Sequence, residues 1–152
     1  MANAETTNLA EEAGTFFTGL FGLKVTATVD DSVVISDVGG VATYTNDTGE
    51  VRGRILADLR GAAILGAALT QIPMGRVDDA CKTGQLPDNL QENLSEVLNI
   101  SVNLLPGHFS QRLVLKAVDF QPADDEIEAA KTAAIGLKLD VQRYGQCLLL
   151  VS

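Results

Sequence analysis

The sequence predicts an α+β fold, a largely antiparallel sheet with helices packed on one face. Three observations carry that expectation. Short β-branched runs come in pairs across turn residues, as hairpins do. Between the pairs lie longer segments whose apolar residues recur every three or four positions. The first of these helical segments also returns, in altered form, in the second half of the chain.

The elements are expected in this order. Met1 to Thr7 is polar and should be frayed or disordered. Asn8 to Phe21 reads as a helix through Leu9, Ala13, Phe16 and Leu20, stopped by Gly19 and Gly22. Leu23–Val29 and Ser32–Ser36 read as a hairpin across Asp30-Asp31. Val41–Thr45 and Val51–Leu59 read as another, across Asn46-Asp47-Thr48-Gly49. Arg60–Gln71, rich in Gly and Ala, is a helix whose small side chains let it lie close to a neighbour, and Val77–Cys81 adds a helical turn. Pro87-Asp88 opens a helix running to about Leu105, where Pro106-Gly107 ends it. Leu113–Phe120 is a strand, and Asp124–Ile135 a helix whose acidic first turn suits the helix dipole. Gly136–Arg143 and Gln146–Val151 close the chain as a hairpin turning at Tyr144-Gly145. No low-complexity linker interrupts these elements, so residues 1–152 read as a single domain.

The repeat appears when Asn8–Gly22 is laid over Asn93–Gly107. Asn8 meets Asn93, Leu9 meets Leu94, Glu11 meets Glu96, Leu20 meets Leu105 and Gly22 meets Gly107. Each segment then leads to a strand ending Val-Asp, Val29-Asp30 and Val118-Asp119. A pseudo-symmetric duplication follows, with the two helices side by side about a pseudo-twofold axis.

Composition excludes several function classes. The formal net charge is -9, and so acidic a chain gains nothing from neutralising phosphates, so neither nucleic acid nor an anionic membrane is expected as a partner. No run of 18 apolar residues and no basic leader is present, and the chain reads as cytoplasmic. Cys81 and Cys147 have no metal-ligand spacing and read as buried or half-buried thiols. His108, the only histidine, reads as a surface residue at a strand entry. The Asp pairs lack the alternating spacing of a calcium loop, and no metal site is expected.

The helix opening at Pro87 carries the candidate chemistry. At 100° per residue, Leu90, Leu94, Val97, Leu98 and Leu105 share one face. Glu92, Glu96, Asn99 and Asn103, at spacings of four, three and four, form a polar stripe opposite it. Asparagine costs a helix roughly 0.6 kcal/mol against alanine, so two on one stripe are a mild anomaly. On periodicity alone the stripe is also what an ordinary solvated helix face looks like. The matching stripe on the first helix is Glu11, Gly14 and Thr18, with Gly14 where Asn99 stands.

Glu96-x-x-Asn99, followed by 22 residues and Pro122, resembles the signature of the CheC/CheX family of chemotaxis phosphatases. That signature begins with Asp or Ser four positions before the Glu, where this chain has Glu92. The single-site pattern looks more like CheX than CheC, whose members commonly keep the motif in both halves.

The resemblance implies a protein-aspartyl-phosphate phosphatase, dephosphorylating a CheY-like response regulator in chemotaxis or two-component signalling. Asn99 would orient the attacking water and Glu96 would pair with the regulator's active-site Lys, with no covalent intermediate on this chain. Glu92 and Asn103 would lie against the partner, and Pro122 would fix the turn before the Asp124 helix. No cofactor is implied on this chain, because Mg²⁺ would be supplied by the regulator. CheX likeness also implies a homodimer paired strand to strand. The alternative is a catalytically weak or inactive module of the same fold that binds a response regulator or a flagellar-switch component.

Overall fold

Eighteen residues at the start of the chain form the first helix, and the strand it feeds pairs with a partner more than a hundred residues away. The computed structural model describes residues 4–152. In order come α1 (Ala4–Phe21), β1 (Val25–Val29), β2 (Val38–Thr45), β3 (Val51–Asp58), α2 (Leu59–Leu69), α3 (Met74–Thr83) and α4 (Asp88–Ile100). Two 3-10 turns follow, Ser101–Leu104 and Pro106–Phe109, then β4 (Val114–Asp119), α5 (Asp124–Lys131), β5 (Ile135–Val141) and β6 (Gly145–Val151). Ala4–Thr7, expected to fray, belongs to α1, while the remainder of that expectation, Met1–Asn3, lies outside the described residues.

The six strands form one sheet in the order β1-β5-β6-β3-β2-β4, every adjacent pair antiparallel. Read from either edge, the order gives the same roles. An outer strand that opens one half (β1 or β4) pairs with the second strand of the other half (β5 or β2), and the third strands, β6 and β3, meet in the middle. This is the topology a duplication produces. The Val-Asp strand endings have a shared physical use as well. Asp30 Oδ1 accepts from the Ser32 amide at 2.9 Å, and Asp119 Oδ1 accepts from the Gln121 amide at 3.0 Å. Each aspartate thus turns the chain with the same side-chain bond two residues on.

The main core lies between the sheet and α1–α4, and gathers Ala42, Tyr44, Ile55, Leu137, Leu139 and Leu149 from alternate positions of the strands. The intervening positions Val41, Leu56 and Leu150 point to the other face, where Ile35 and Ala130 cover them. Four helices therefore share one face, and the short α5 sits on the other.

Several local expectations change. Ser32–Ser36 is not a strand, because Asp30 takes both the amide and the hydroxyl of Ser32, and β1 pairs with β5 instead. The helix beginning at Asp124 stops at Lys131 rather than Ile135. Ala133 has a φ of 55°, and Ile135 is already in β5 opposite Val151. Helix α3 is longer than the single turn foreseen. α1 and α4 share a face but are not side by side. α1 lies over edge strand β1, and α4 packs most extensively along α2.

Glycine sets that last contact. A Cβ on Gly66 of α2 would stand 2.6 Å from the Leu90 carbonyl oxygen of α4. Only a residue without a side chain lets the two backbones approach so closely. Gly22 has a different task, since its φ of 68° ends α1 with its amide donating to the Thr18 carbonyl at 3.0 Å.

Candidate functional site

The apolar face of α4 is fixed first. Leu90, Leu94, Val97 and Leu98 are at most 2% exposed. Burial of such side chains contributes about 1.5–3 kcal/mol each. Asn93 adds a polar clamp, its Nδ2 donating to the Gly66 carbonyl and to Thr70 Oγ1, both at 2.9 Å. With one face so held, the rotation of the helix leaves no freedom in what the other presents.

Glu92, Glu96, Asn99 and Asn103 are all exposed, while Leu94, Val97, Leu98 and Leu105 are buried, as the periodicity predicts. Among the described residues, no hydrogen bond or ion pair within the chain engages the side chain of any of the four stripe residues. Glu96 and Asn99 are one turn apart, a spacing that puts Cβ atoms about 5–6 Å apart. The stripe is a ridge, open to a macromolecule that brings its own pocket.

α4 ends sooner than expected. It stops at Ile100, and Asn103 stands in the 3-10 turn that follows. The terminal carbonyls are met by side chains: Ser101 Oγ donates to the Val97 carbonyl at 2.6 Å, and the Tyr44 hydroxyl donates to the Leu98 carbonyl at 2.6 Å. Pro122 is half-buried between β4 and α5, two residues before α5 begins.

The equivalent stripe of α1 lies against β1. A Cβ on Gly14 would lie 3.2 Å from the Val25 carbonyl oxygen, so an asparagine there would press on the β1 backbone. Thr18 Oγ1 accepts from the Val25 amide at 3.0 Å and donates to its carbonyl at 3.3 Å. Thr18 thus meets both outward backbone groups of Val25 at the start of edge strand β1. The first stripe has a structural use that the second lacks.

No group of three or more His, Cys, Asp and Glu side chains among the described residues is placed to hold a metal ion. Both cysteines are free, Cys147 buried and Cys81 half-buried, and burial pushes both thiols above their ordinary range. His108 is half-buried in the second 3-10 turn rather than exposed at a strand entry. No described helix is long and apolar enough to cross a membrane.

No protein-family model matches the chain, and no curated protein matches it. Solved structures do. The FliM middle domain of Vibrio alginolyticus superposes with a TM-score of 0.64 at 9% identity, over 97% of this chain and 90% of that one. FliY of Thermotoga maritima gives 0.57 at 10% identity, over 99% and 90%. A looser likeness, TM-score 0.47 at 10% identity, covers 99% of this chain and 99% of a chemotaxis protein CheX from Desulfovibrio desulfuricans. At these identities the likeness to FliM and FliY shows a shared fold, the antiparallel α+β architecture expected from the sequence.

Proposed function

We propose that the chain accelerates loss of the phosphoryl group from the phosphoaspartate of a CheY-like response regulator. The observation that carries this reading is the pairing of Glu96 and Asn99 on an exposed ridge, the side chains of both free of bonds within the chain, above a helix face that is almost wholly buried. A ridge of that kind can enter a partner's active site.

Phosphoryl transfer depends on in-line placement of the nucleophile and on charge stabilisation more than on covalent help. The Asn99 carboxamide can accept from water with its oxygen and donate with its nitrogen, fixing the water without bringing charge. A carboxylate there would repel the phosphoryl oxygens. The water oxygen bonds to phosphorus as the bond from phosphorus to the aspartyl oxygen breaks, releasing inorganic phosphate and the free carboxylate. Glu96 pairs with the regulator's active-site Lys, and Glu92 and Asn103 extend the contact along the ridge. Mg²⁺ belongs to the regulator, and Pro122 shapes the turn into α5. In this reading the chain works in the cytoplasm as a homodimer.

A second reading is a regulator-binding or switch-binding module without hydrolysis. Two observations favour it: the fold likeness to FliM and FliY, and Glu92 at the position where the resemblance calls for Asp or Ser. Phosphate release from phosphorylated regulators, with and without the chain, separates the two. Faster decay supports the phosphatase; binding with unchanged decay supports the module.

A further inference from the structure

Tyr44 is wholly buried, yet it carries a hydroxyl into the core. Burial pushes its phenol well above the ordinary range, so the group is a protonated donor at any physiological pH. Its acceptor is the carbonyl of Leu98, the residue immediately before Asn99.

The strand is irregular on both sides of this tyrosine. β2 slips register against β4 between Thr43 and Tyr44, and against β3 between Tyr44 and Thr45. Bulges re-aim a side chain at the cost of ladder regularity, and they collect beside functional sites.

The other half of the fold supplies a comparison. Val29 and Val118 are equivalent through their Val-Asp endings, and they face Leu137 and Ala42. Two residues further along each of those strands, on the same face, stand Leu139 and Tyr44. The side of the sheet that carries β1 and Gly14 therefore has a leucine, contributed by the second repeat, where the side that carries β4 and Asn99 has a tyrosine, contributed by the first. At these equivalent positions the tyrosine hydroxyl and the carboxamide are both present on the Asn99 side and both missing on the Gly14 side.

We infer that Tyr44 is a positioning residue for Asn99: its bond to the Leu98 carbonyl holds the last turn of α4 in one orientation and so sets where the carboxamide points. Without that donor, a carbonyl at a helix end would compete for other partners and the turn would loosen. The geometry stands by itself; the effect on rate rests on the phosphatase reading.

Tyr44→Phe removes one oxygen and keeps the ring. Backbone order parameters for residues 97–103 should fall in this variant while those of the sheet stay unchanged. Regulator dephosphorylation, measured beside Asn99→Ala, should lose on the order of tenfold in kcat with KM unmoved. A merely structural role would lower thermal stability without that split. Residues 97–103 as ordered as in the wild type would overturn the inference, as would full kcat in Tyr44→Phe when Asn99→Ala is impaired. If Asn99→Ala keeps wild-type activity, the phosphatase reading fails instead, and the order of residues 97–103 alone decides the role of Tyr44.

Discussion

Asn93 donates to the Gly66 carbonyl at 2.9 Å, tying α4 to α2 by one of the three asparagines between Asn93 and Asn103. Asn99 and Asn103 make no such bond, and both face solvent. One asparagine in this stretch is thus explained by packing, and the other two are not.

Asn99→Ala should abolish most acceleration of phosphoaspartate hydrolysis, on the order of 10²-fold, by comparison with loss of a single positioned donor. Partner binding should stay nearly intact, because the bound water counts chiefly in the transition state. Glu96→Ala should weaken affinity together with rate, and its effect should shrink at high salt. Fluorescence-monitored dephosphorylation at several salt concentrations reads both. Equal decay with wild type and Asn99→Ala against every candidate regulator would sink the enzymatic reading.

Gly66→Ala should destabilise the fold by about 1–3 kcal/mol, although alanine is the better helix former by roughly 1 kcal/mol. The added Cβ would stand 2.6 Å from the Leu90 carbonyl oxygen and push α4 off α2. Urea unfolding measures this. A variant as stable as the wild type would show that the helices separate at no cost.

Asp58 caps α2, accepting from the Gly61 amide at 2.7 Å and the Leu148 amide at 3.2 Å. Burial nevertheless raises its carboxyl above the ordinary range, outweighing the pull of those two bonds. The folded protein thus holds this proton more tightly than the unfolded chain, whose aspartate titrates near about 3.9. The associated stability is fully present below that pH and is lost as pH rises through the folded value. Asp58→Asn keeps an acceptor and removes the titration, so its unfolding midpoint should lack this decline from about pH 4 upward. Parallel pH curves for the two proteins would contradict the assignment.

Self-association should use β4. The outer edge of β1 is occupied where Thr18 bonds the Val25 backbone, whereas β4 is an edge strand with Val114, Lys116 and Ala117 exposed. An edge of this kind invites strand pairing. Sedimentation should give a dimer at micromolar concentration, and Val114→Glu should weaken it by about tenfold or more. A wild-type monomer at high micromolar concentration would refute the dimer.

Elements set by neighbours in the chain were legible in the sequence. The β2–β3 and β5–β6 hairpins, the small-residue helix α2 and the two faces of α4 follow from turn residues and periodicity, which act over a few positions. The exposed Glu96 and Asn99 follow from the same periodicity. Contacts made across the fold decided the rest. β1 takes β5 as its partner because the Ser32–Ser36 segment is turned away by Asp30, and no local pattern encodes a pairing so distant. α5 covers the second face because Ile127 and Ala130 find Val41, Leu56 and Leu150 there. α4 ends just after Asn99, where a hydroxyl from Tyr44, 54 residues away in sequence, meets the Leu98 carbonyl. Side-chain periodicity establishes which face of a helix is wet; only packing against distant strands decides which side chains meet the carbonyls at its end.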